Sequence, residues 1–261
     1  PLAVIRTKML RVNFKGEKYQ FPVMSPTKQS SYIYGTIGLD NNWRELDYKN
    51  GGHTLELGVT AYFQVPRELF PKLYKSEFFY SNQIIDEIEE NYVSEELPLI
   101  SFDLDINYTK IFDFTSYESV LIGNIKTKFP AFKELENLKL DENIVKESLL
   151  RLGNCFNYEP TLKRIHFGRV ETNKMNLICF AEFETFKKEK GTIEVDVWLP
   201  INLYFKAGTY TDDFPNKSQQ EKAQEIKDCF ASIYKIEDYN LIDRTFNKES
   251  KEVIIQFEYK N

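Results

Sequence analysis

Apolar and polar residues alternate near the start of the chain in a pattern typical of a β-hairpin. Leu10, Val12 and Phe14 alternate with polar residues, the pair Lys15-Gly16 favours a turn, and a second alternating stretch follows. Alternation with period two places one set of side chains on one face of a strand. We therefore predict an N-terminal hairpin and loop over residues 1–31.

Two longer regions each combine alternating stretches with one amphipathic helix. Residues 32–117 show three predicted strands, a helix near 82–94 and two further strands, and residues 161–261 follow the same order with a helix near 218–234. A helix with one apolar face can cover the apolar face of an antiparallel sheet. The pattern predicts an α+β fold of two similar modules, each an antiparallel sheet with one covering helix.

The two modules also align with each other, which indicates an internal duplication. Residues 52–110 align without a gap with residues 190–248, so that the strand-like stretch 54–57 falls on 192–195. The apolar helix positions, spaced i, i+3 and i+7, coincide as well. We interpret the match as a shared scaffold, with two unrelated segments of generic patterning as the alternative.

Residues 118–160 lie between the modules, and their helix signals predict a helical connector. Asp141 is a candidate N-cap and Gly153 suits a helix end, with apolar residues at helical spacing between them. In the second module, Ser218 and Glu221 have the spacing of a capping box. An apolar helix face in the connector would pack on a module and restrict the orientation of the two modules.

Composition narrows the class of protein. Hydrophobic residues make up 42% of the chain and aromatic residues 15%, which is enough for a packed core and disfavours disorder. The net charge of −6 argues against binding to nucleic acid or to an anionic membrane surface, and no run of about 20 apolar residues occurs. The three cysteines are widely spaced, which fits a reducing compartment. We therefore expect a cytoplasmic protein without a nucleic-acid or membrane partner.

Candidate catalytic and metal-binding groups are few. The two histidines, His53 and His166, lie in no recognisable catalytic motif, and no zinc or EF-hand motif occurs. Asp103 and Asp105 stand two apart in a predicted strand, so both face the same side, and Asp113 could join them from the next strand. Three carboxylates could bind Mg²⁺ or Ca²⁺ in a carboxylate- or metal-dependent enzyme, whereas a solvated sheet face is the simpler interpretation. We expect no cofactor and no resident metal.

A strongly acidic segment is the first candidate binding surface. Residues 82–96 carry six carboxylates and no lysine or arginine, which would attract a basic protein partner; a solvated helix face is the alternative. The loop before this helix is aromatic, and its rings could either anchor an interface or fold back as a lid over the sheet. The predicted partner-binding residues are Asp86, Glu87, Glu89, Glu90, Glu95, Glu96, Phe78, Phe79 and Tyr80.

The second module resembles a known group of small domains. Residues 167–170 (Phe-Gly-Arg-Val), a strong strand, residues 191–195 (Gly-Thr-Ile-Glu-Val) and then a helix resemble uncharacterised bacterial β-sheet-plus-helix domains, some of which occur among immunity proteins of polymorphic toxin systems. The resemblance covers mainly residues 164–234 and assigns no functional residue. We therefore expect a non-enzymatic intracellular protein-binding protein of bacterial type, with toxin neutralisation as one specific form. A structural or assembly component is a further alternative.

Overall fold

The chain folds mainly into β-strands, as a computed structural model shows. It describes residues 8–24, 31–39, 52–79, 97–106, 120–121, 135–153, 156–208, 218, 221, 224, 228, 239–247 and 252–260. The strands are β1 (Met9–Phe14), β2 (Glu17–Pro22), β3 (Tyr32–Leu39), β4 (Gly52–Gln64), β5 (Leu99–Asp105), β6 (Val120–Leu121), β7 (Lys139–Leu140), β8 (Leu149–Gly153), β9 (Thr161–Glu171), β10 (Lys174–Glu184), β11 (Lys190–Gly208), β12 (Tyr239–Asn247) and β13 (Glu252–Tyr259). Two helices of four residues accompany them in these ranges, α1 (Phe70–Leu73) after a 3-10 turn (Arg67–Leu69), and α2 (Glu142–Val145).

The long strand β11 organises the sheets. Its first half lies between β10 and β1 and is antiparallel to both, whereas its second half lies between antiparallel β13 and parallel β3. From β3 the order continues through β4 and β5 to β8. Every second residue of β11 is buried along most of its length because one face of the strand looks into the core. These buried residues are Ile193, Val195, Val197, Leu199, Ile201 and Leu203.

The N-terminal hairpin is confirmed, and it is part of the sheet that β11 organises. Lys15 and Gly16 have φ angles of +51° and +80°, which match the tight turn that the right-handed twist of a hairpin favours. β1 pairs with β11 from Met9 opposite Asp196 onwards. After β2, a bridge between Val23 and Phe63 connects the hairpin to the end of β4. The hairpin therefore contacts both β11 and the end of β4.

The prediction of an α+β fold with two helix-covered modules is wrong, because the structure is mostly β-sheet. Residues 54–57 and 192–195 do lie in long strands, β4 and β11, as their alignment requires. The pairing partners differ, however: β4 pairs with β5, the next long strand, whereas β11 pairs with the final strand β13 and not with β12. The parallel pairing of β3 with β11 also joins the two predicted modules directly. The strand pairing therefore does not divide the chain into two separate sheets, one for each predicted module.

The helical connector is a second correction. Asp141 does cap a helix, since its Oδ1 accepts a hydrogen bond from the Asn143 backbone N–H at 3.0 Å, but α2 ends after one turn. Residues 149–153 instead form β8, which pairs with β5. The sequence Leu-Leu-Arg-Leu fits the period of a helix as well as that of a strand. It forms a strand here because the edge of β5 is available for pairing. Leu150 and Leu152 consequently face the core.

The helix signal in the second half of the chain is confirmed at its start. The Ser218 backbone N–H donates to Glu221 Oε2 at 2.7 Å, and the Glu221 N–H donates to Ser218 Oγ at 3.3 Å, which is the reciprocal pair of a capping box. Glu221, Gln224 and Asp228 are helical. The helix predicted near 82–94 lies outside the described residues. In the part of the chain that the structure describes, no helix has the length and apolar character needed to cross a membrane.

Candidate functional site

An aromatic cluster fills one end of the core, where the β1–β2 turn, the β10–β11 turn and residues 156–158 meet. The Phe78 ring lies 5.5 Å from Phe14 and 5.9 Å from Phe183 between centroids. The Phe156 ring meets Phe183 edge-on at 5.1 Å. Rings at these separations and angles attract each other beyond the area they bury. Phe183 is the common neighbour and is itself buried.

Tyr158 extends this cluster to the protein surface. Its ring stacks on Phe183 at 6.2 Å and meets Phe186 edge-on at 5.3 Å. Phe186 is 88% exposed, the largest exposed fraction among the exposed large hydrophobic side chains of the described residues. A continuous line of rings thus runs from the core to a phenylalanine in solvent.

The turn that carries Phe186 is closed by three hydrogen bonds. The Thr185 N–H donates to the Glu189 carbonyl at 2.9 Å, and the Lys188 N–H donates to the Thr185 carbonyl at 2.8 Å. The Glu189 N–H donates to Thr185 Oγ1 at 3.2 Å. Lys188 adopts a left-handed φ of +65°, a conformation that closes such turns and that glycine usually provides. The exposed ring is therefore presented on an ordered backbone.

A cleft of about 350 Å³ lies between residues 149–152 of β8 and residues 156–160. We call it the β8 cleft. Four consecutive β8 residues line it, and side chains of consecutive strand residues point to opposite faces. The cleft therefore runs along the edge of the strand and not over one face of the sheet. Tyr158 lines the cleft and its ring also contacts Phe186, so one side chain connects the cleft to the exposed ring.

A network of ion pairs holds the two turns next to the cluster. Lys15 Nζ lies 2.7 Å from Glu189 Oε2 and 3.7 Å from Glu77 Oε1, and Lys187 Nζ also pairs with Glu77. The hydrogen bond from Lys187, together with the positive charge of Lys15, lowers the pKa of Glu77. The hydrogen bond to Glu189 raises the pKa of Lys15. These groups are solvent-accessible, so we assign the network a role in orienting the turns and little net stability.

The predicted carboxylate site is only partly covered by the structure. Asp103 and Asp105 lie on β5 on the face away from the core, as their spacing predicts. Asp103 Oδ1 accepts a hydrogen bond from Thr60 Oγ1 at 3.0 Å, which gives this carboxylate a structural partner. Asp113 lies outside the described residues. Among the residues that are described, no group of three or more His, Cys, Asp and Glu side chains is arranged to hold a metal ion.

Two of the predicted partner-binding aromatics are buried. Phe78 is fully buried in the aromatic cluster, and Phe79 is buried with its ring stacked on Phe21 at 6.3 Å. Both side chains fold back onto the sheet, which is the second of the two possibilities for this aromatic loop. Neither ring is exposed to a partner. The remaining predicted residues lie outside the described ranges: Tyr80, Asp86, Glu87, Glu89, Glu90, Glu95 and Glu96.

Potential nucleophiles and bases are not concentrated at the β8 cleft. Cys179 is fully buried in β10, and burial raises the pKa of its thiol to about 12, so the reactive thiolate is disfavoured. His166 lies on β9, half-buried and opposite Ile178. His53 lies on β4 opposite Leu39.

The sequence pattern did not reveal the site at Phe186. Residues 176–186 read as one continuous strand, which would have placed Phe186 at its end. In the structure β10 stops at Glu184, and the polar run Lys-Lys-Glu-Lys-Gly that follows belongs to the turn and the start of β11. An aromatic residue directly before such a polar run was the available signal. The cleft itself depends on where β8 lies, which the local pattern does not specify.

Comparison with known proteins adds no analogy for this site. No protein-family model, no curated protein and no solved structure matches the chain. The function therefore has to be argued from the geometry of the cleft and its exposed ring.

Proposed function

We propose that this chain is a non-enzymatic binding protein whose partner is another protein, and that the partner docks on Phe186 and the β8 cleft. The observation that carries the proposal is the exposed Phe186 ring, which lies on a hydrogen-bonded turn and contacts Tyr158 in the wall of a cleft. Aromatic residues beside pockets are the usual energetic centres of protein interfaces. The hydrogen-bonded turn restricts the backbone that carries the ring, so less backbone freedom is lost on binding.

The expected energy at this position is large enough to decide an interface. Removing a phenylalanine side chain from water contributes about 1.5–3 kcal/mol. Phe186 is 88% exposed, so nearly all of this contribution is available to a partner. A loss of about 2 kcal/mol corresponds to roughly thirtyfold in the dissociation constant.

The acidic segment and the resemblance to immunity proteins extend the same proposal. We propose a basic partner in the cytoplasm, attracted by Glu87, Glu89 and Glu90, with toxin neutralisation as the specific form of binding. Support comes from the six carboxylates of residues 82–96, which contain no lysine or arginine, and from the widely spaced cysteines. If the partner is a toxin, co-expression of this chain should restore growth, and reversing the three charges should weaken the rescue.

The central test is a pair of matched variants. Phe186→Ser removes the exposed ring at the cleft, and Ile242→Ser removes an exposed side chain, 49% accessible, on β12. Proteins captured from the native host would be identified with the wild-type chain, and the purified partner titrated against all three proteins by calorimetry.

We expect Phe186→Ser to weaken the affinity at least about tenfold, while Ile242→Ser binds like wild type. Both variants change solvent-exposed positions, so both should keep the wild-type melting temperature. A partner that binds the three proteins equally would remove Phe186 from the interface and refute the proposal.

A further inference from the structure

The geometry points to an extended peptide segment of the partner as the occupant of the β8 cleft, added as a strand along the outer edge of β8. The segment carries an apolar side chain opposite Leu149 and an acidic side chain opposite Arg151. This inference rests on the proposed function and specifies the mode of binding and the chemistry of the partner.

One edge of β8 is available for pairing in the part of the chain that the structure describes. β8 pairs with β5 along its whole length, from Gly153 opposite Ser101 to Leu149 opposite Asp105. Among the described residues, no other strand pairs with β8. An unpaired edge offers a row of backbone N–H and C=O groups to an incoming chain. Five residues of β8 provide an edge of about 17 Å, at roughly 3.4 Å per residue.

The β8 cleft runs beside this edge. Its lining includes four consecutive residues of β8 and, among the described residues, none of β5, which places it on the side of β8 away from β5. Residues 156–160 form the opposite wall, in which Phe156 and Tyr158 are anchored on Phe183. A segment entering this cleft would have backbone partners on one side and aromatic side chains on the other.

The exposed side chains of β8 include one apolar residue and one positive charge. Leu149 and Arg151 are the exposed residues of β8, while Leu150 and Leu152 face the core. Directly opposite residues of antiparallel strands interact most strongly when an apolar residue faces an apolar one and opposite charges face each other. Glu159 on the opposite wall disfavours a segment that is acidic throughout. An apolar residue and one acidic residue two positions apart therefore complement the edge.

Among the described strands, β12 is one rival edge, and it is less suitable. It pairs only with β13 among the described strands, and it exposes Leu241 and Ile242. Its register shifts between Leu241 and Asp243, however. A bulge of this kind interrupts the regular row of backbone groups and is a common protection of sheet edges. The β8 ladder has no such shift.

The test uses capped synthetic heptapeptides and the full chain. The probe has isoleucine and glutamate two positions apart in a threonine background, and a second peptide has lysine in place of glutamate. Two further versions of the probe carry N-methyl groups on alternate backbone nitrogens. Fluorescence anisotropy gives the affinities, and amide hydrogen exchange reports on residues 149–153.

We expect the glutamate peptide to bind wild type about fivefold more tightly than the lysine peptide, and Arg151→Glu to reverse this preference. The N-methylated version that blocks the backbone nitrogens facing β8 should not bind. The version that blocks the other nitrogens should bind like the unmodified probe. Exchange should slow at alternate amides of β8. The melting temperature of Arg151→Glu shows whether this variant is folded. Arg151→Gln is a second variant that removes the charge without reversing it, and it should bind both peptides equally.

Absence of binding by every peptide at about 1 mM would overturn the inference, as would binding that ignores both the charge swap and the N-methyl groups. Titration of the partner against Phe186→Ser and Arg151→Glu separates the proposed protein binding from the proposed strand addition. A partner that depends on Phe186 but binds Arg151→Glu and wild type equally would leave protein binding intact and refute strand addition. Loss of the Phe186 effect would refute the proposed function itself.

Discussion

Gly191→Ala should destabilise the fold strongly, because the side chain of Phe183 occupies the space that the new methyl group needs. A Cβ atom built at Gly191 lies 2.1 Å from Phe183 Cζ and 2.3 Å from Cε1. Ordinary contacts between such atoms are about 3.5–4.0 Å, so the ring would have to move by more than 1 Å. Phe183 has little freedom to do so, since it is buried with Phe156 and Tyr158 against it.

The magnitude follows from this confinement. Forcing extra volume into a packed core costs about 1–3 kcal/mol, and we expect the upper half of that range for Gly191→Ala. Equilibrium unfolding in urea should show a lower midpoint with an unchanged slope. Because Phe183 supports Tyr158, and Tyr158 supports Phe186, the same variant should also weaken partner binding.

Two controls isolate the cause. In a Phe183→Leu background, Gly191→Ala should cost at least about 1 kcal/mol less, since the smaller side chain frees the space. Gly16→Ala adds a methyl group in open space but at a φ of +80°, so it measures backbone strain alone and should not respond to Phe183→Leu. A Gly191→Ala protein with a free energy of unfolding within about 0.5 kcal/mol of wild type would refute the packing argument.

Two further predictions concern ionisable groups. The pKa of Glu77 is lowered in the folded protein, chiefly by the hydrogen bond from Lys187. Ionised Glu77 therefore stabilises the fold at pH values above its ordinary pKa of 4.5. This contribution is lost as the pH falls through the lowered pKa. The melting temperature of wild type should therefore exceed that of Glu77→Gln by a small amount near neutral pH and by less in acid, because the pair is exposed to solvent, and a difference of the same size at both pH values would contradict the assignment. Burial raises the pKa of Cys179 to about 12, which disfavours the reactive thiolate. Iodoacetamide at pH 8 should therefore leave Cys179 unmodified in the native protein and alkylate it in urea. Mass spectrometry of the Cys179 peptide measures the modification. Rapid native alkylation would mean that β10 opens readily.

Local features of the sequence were predictable because neighbouring residues determine them. The β1–β2 hairpin follows from alternation and from the Lys15-Gly16 turn. The capping box at Ser218 follows from two side chains three positions apart. Asp103 and Asp105 share a face of β5 because side chains on a strand alternate. Each of these inferences needs only a few consecutive positions.

Features that need distant segments were not predictable in the same way. The stretch Leu-Leu-Arg-Leu satisfies a helical and a strand period equally, and only the edge of β5 decides that it becomes β8. The alternation of β3 specifies its core face but not its parallel pairing with β11. The burial of Phe78 and the exposure of Phe186 likewise depend on which turns meet at the aromatic cluster. The candidate site is built almost entirely from such contacts.

The sequence by itself determined which residues form strands in much of the chain and which side of each strand is apolar. Tertiary structure decided which strand lies beside which and what covers each apolar face. The physical reason is that the hydrogen bonds of a sheet join backbone groups, which are nearly the same in every residue, so side-chain pattern selects a face without selecting a neighbour. The β8 cleft lies at a strand edge, and it exists only because of that tertiary choice.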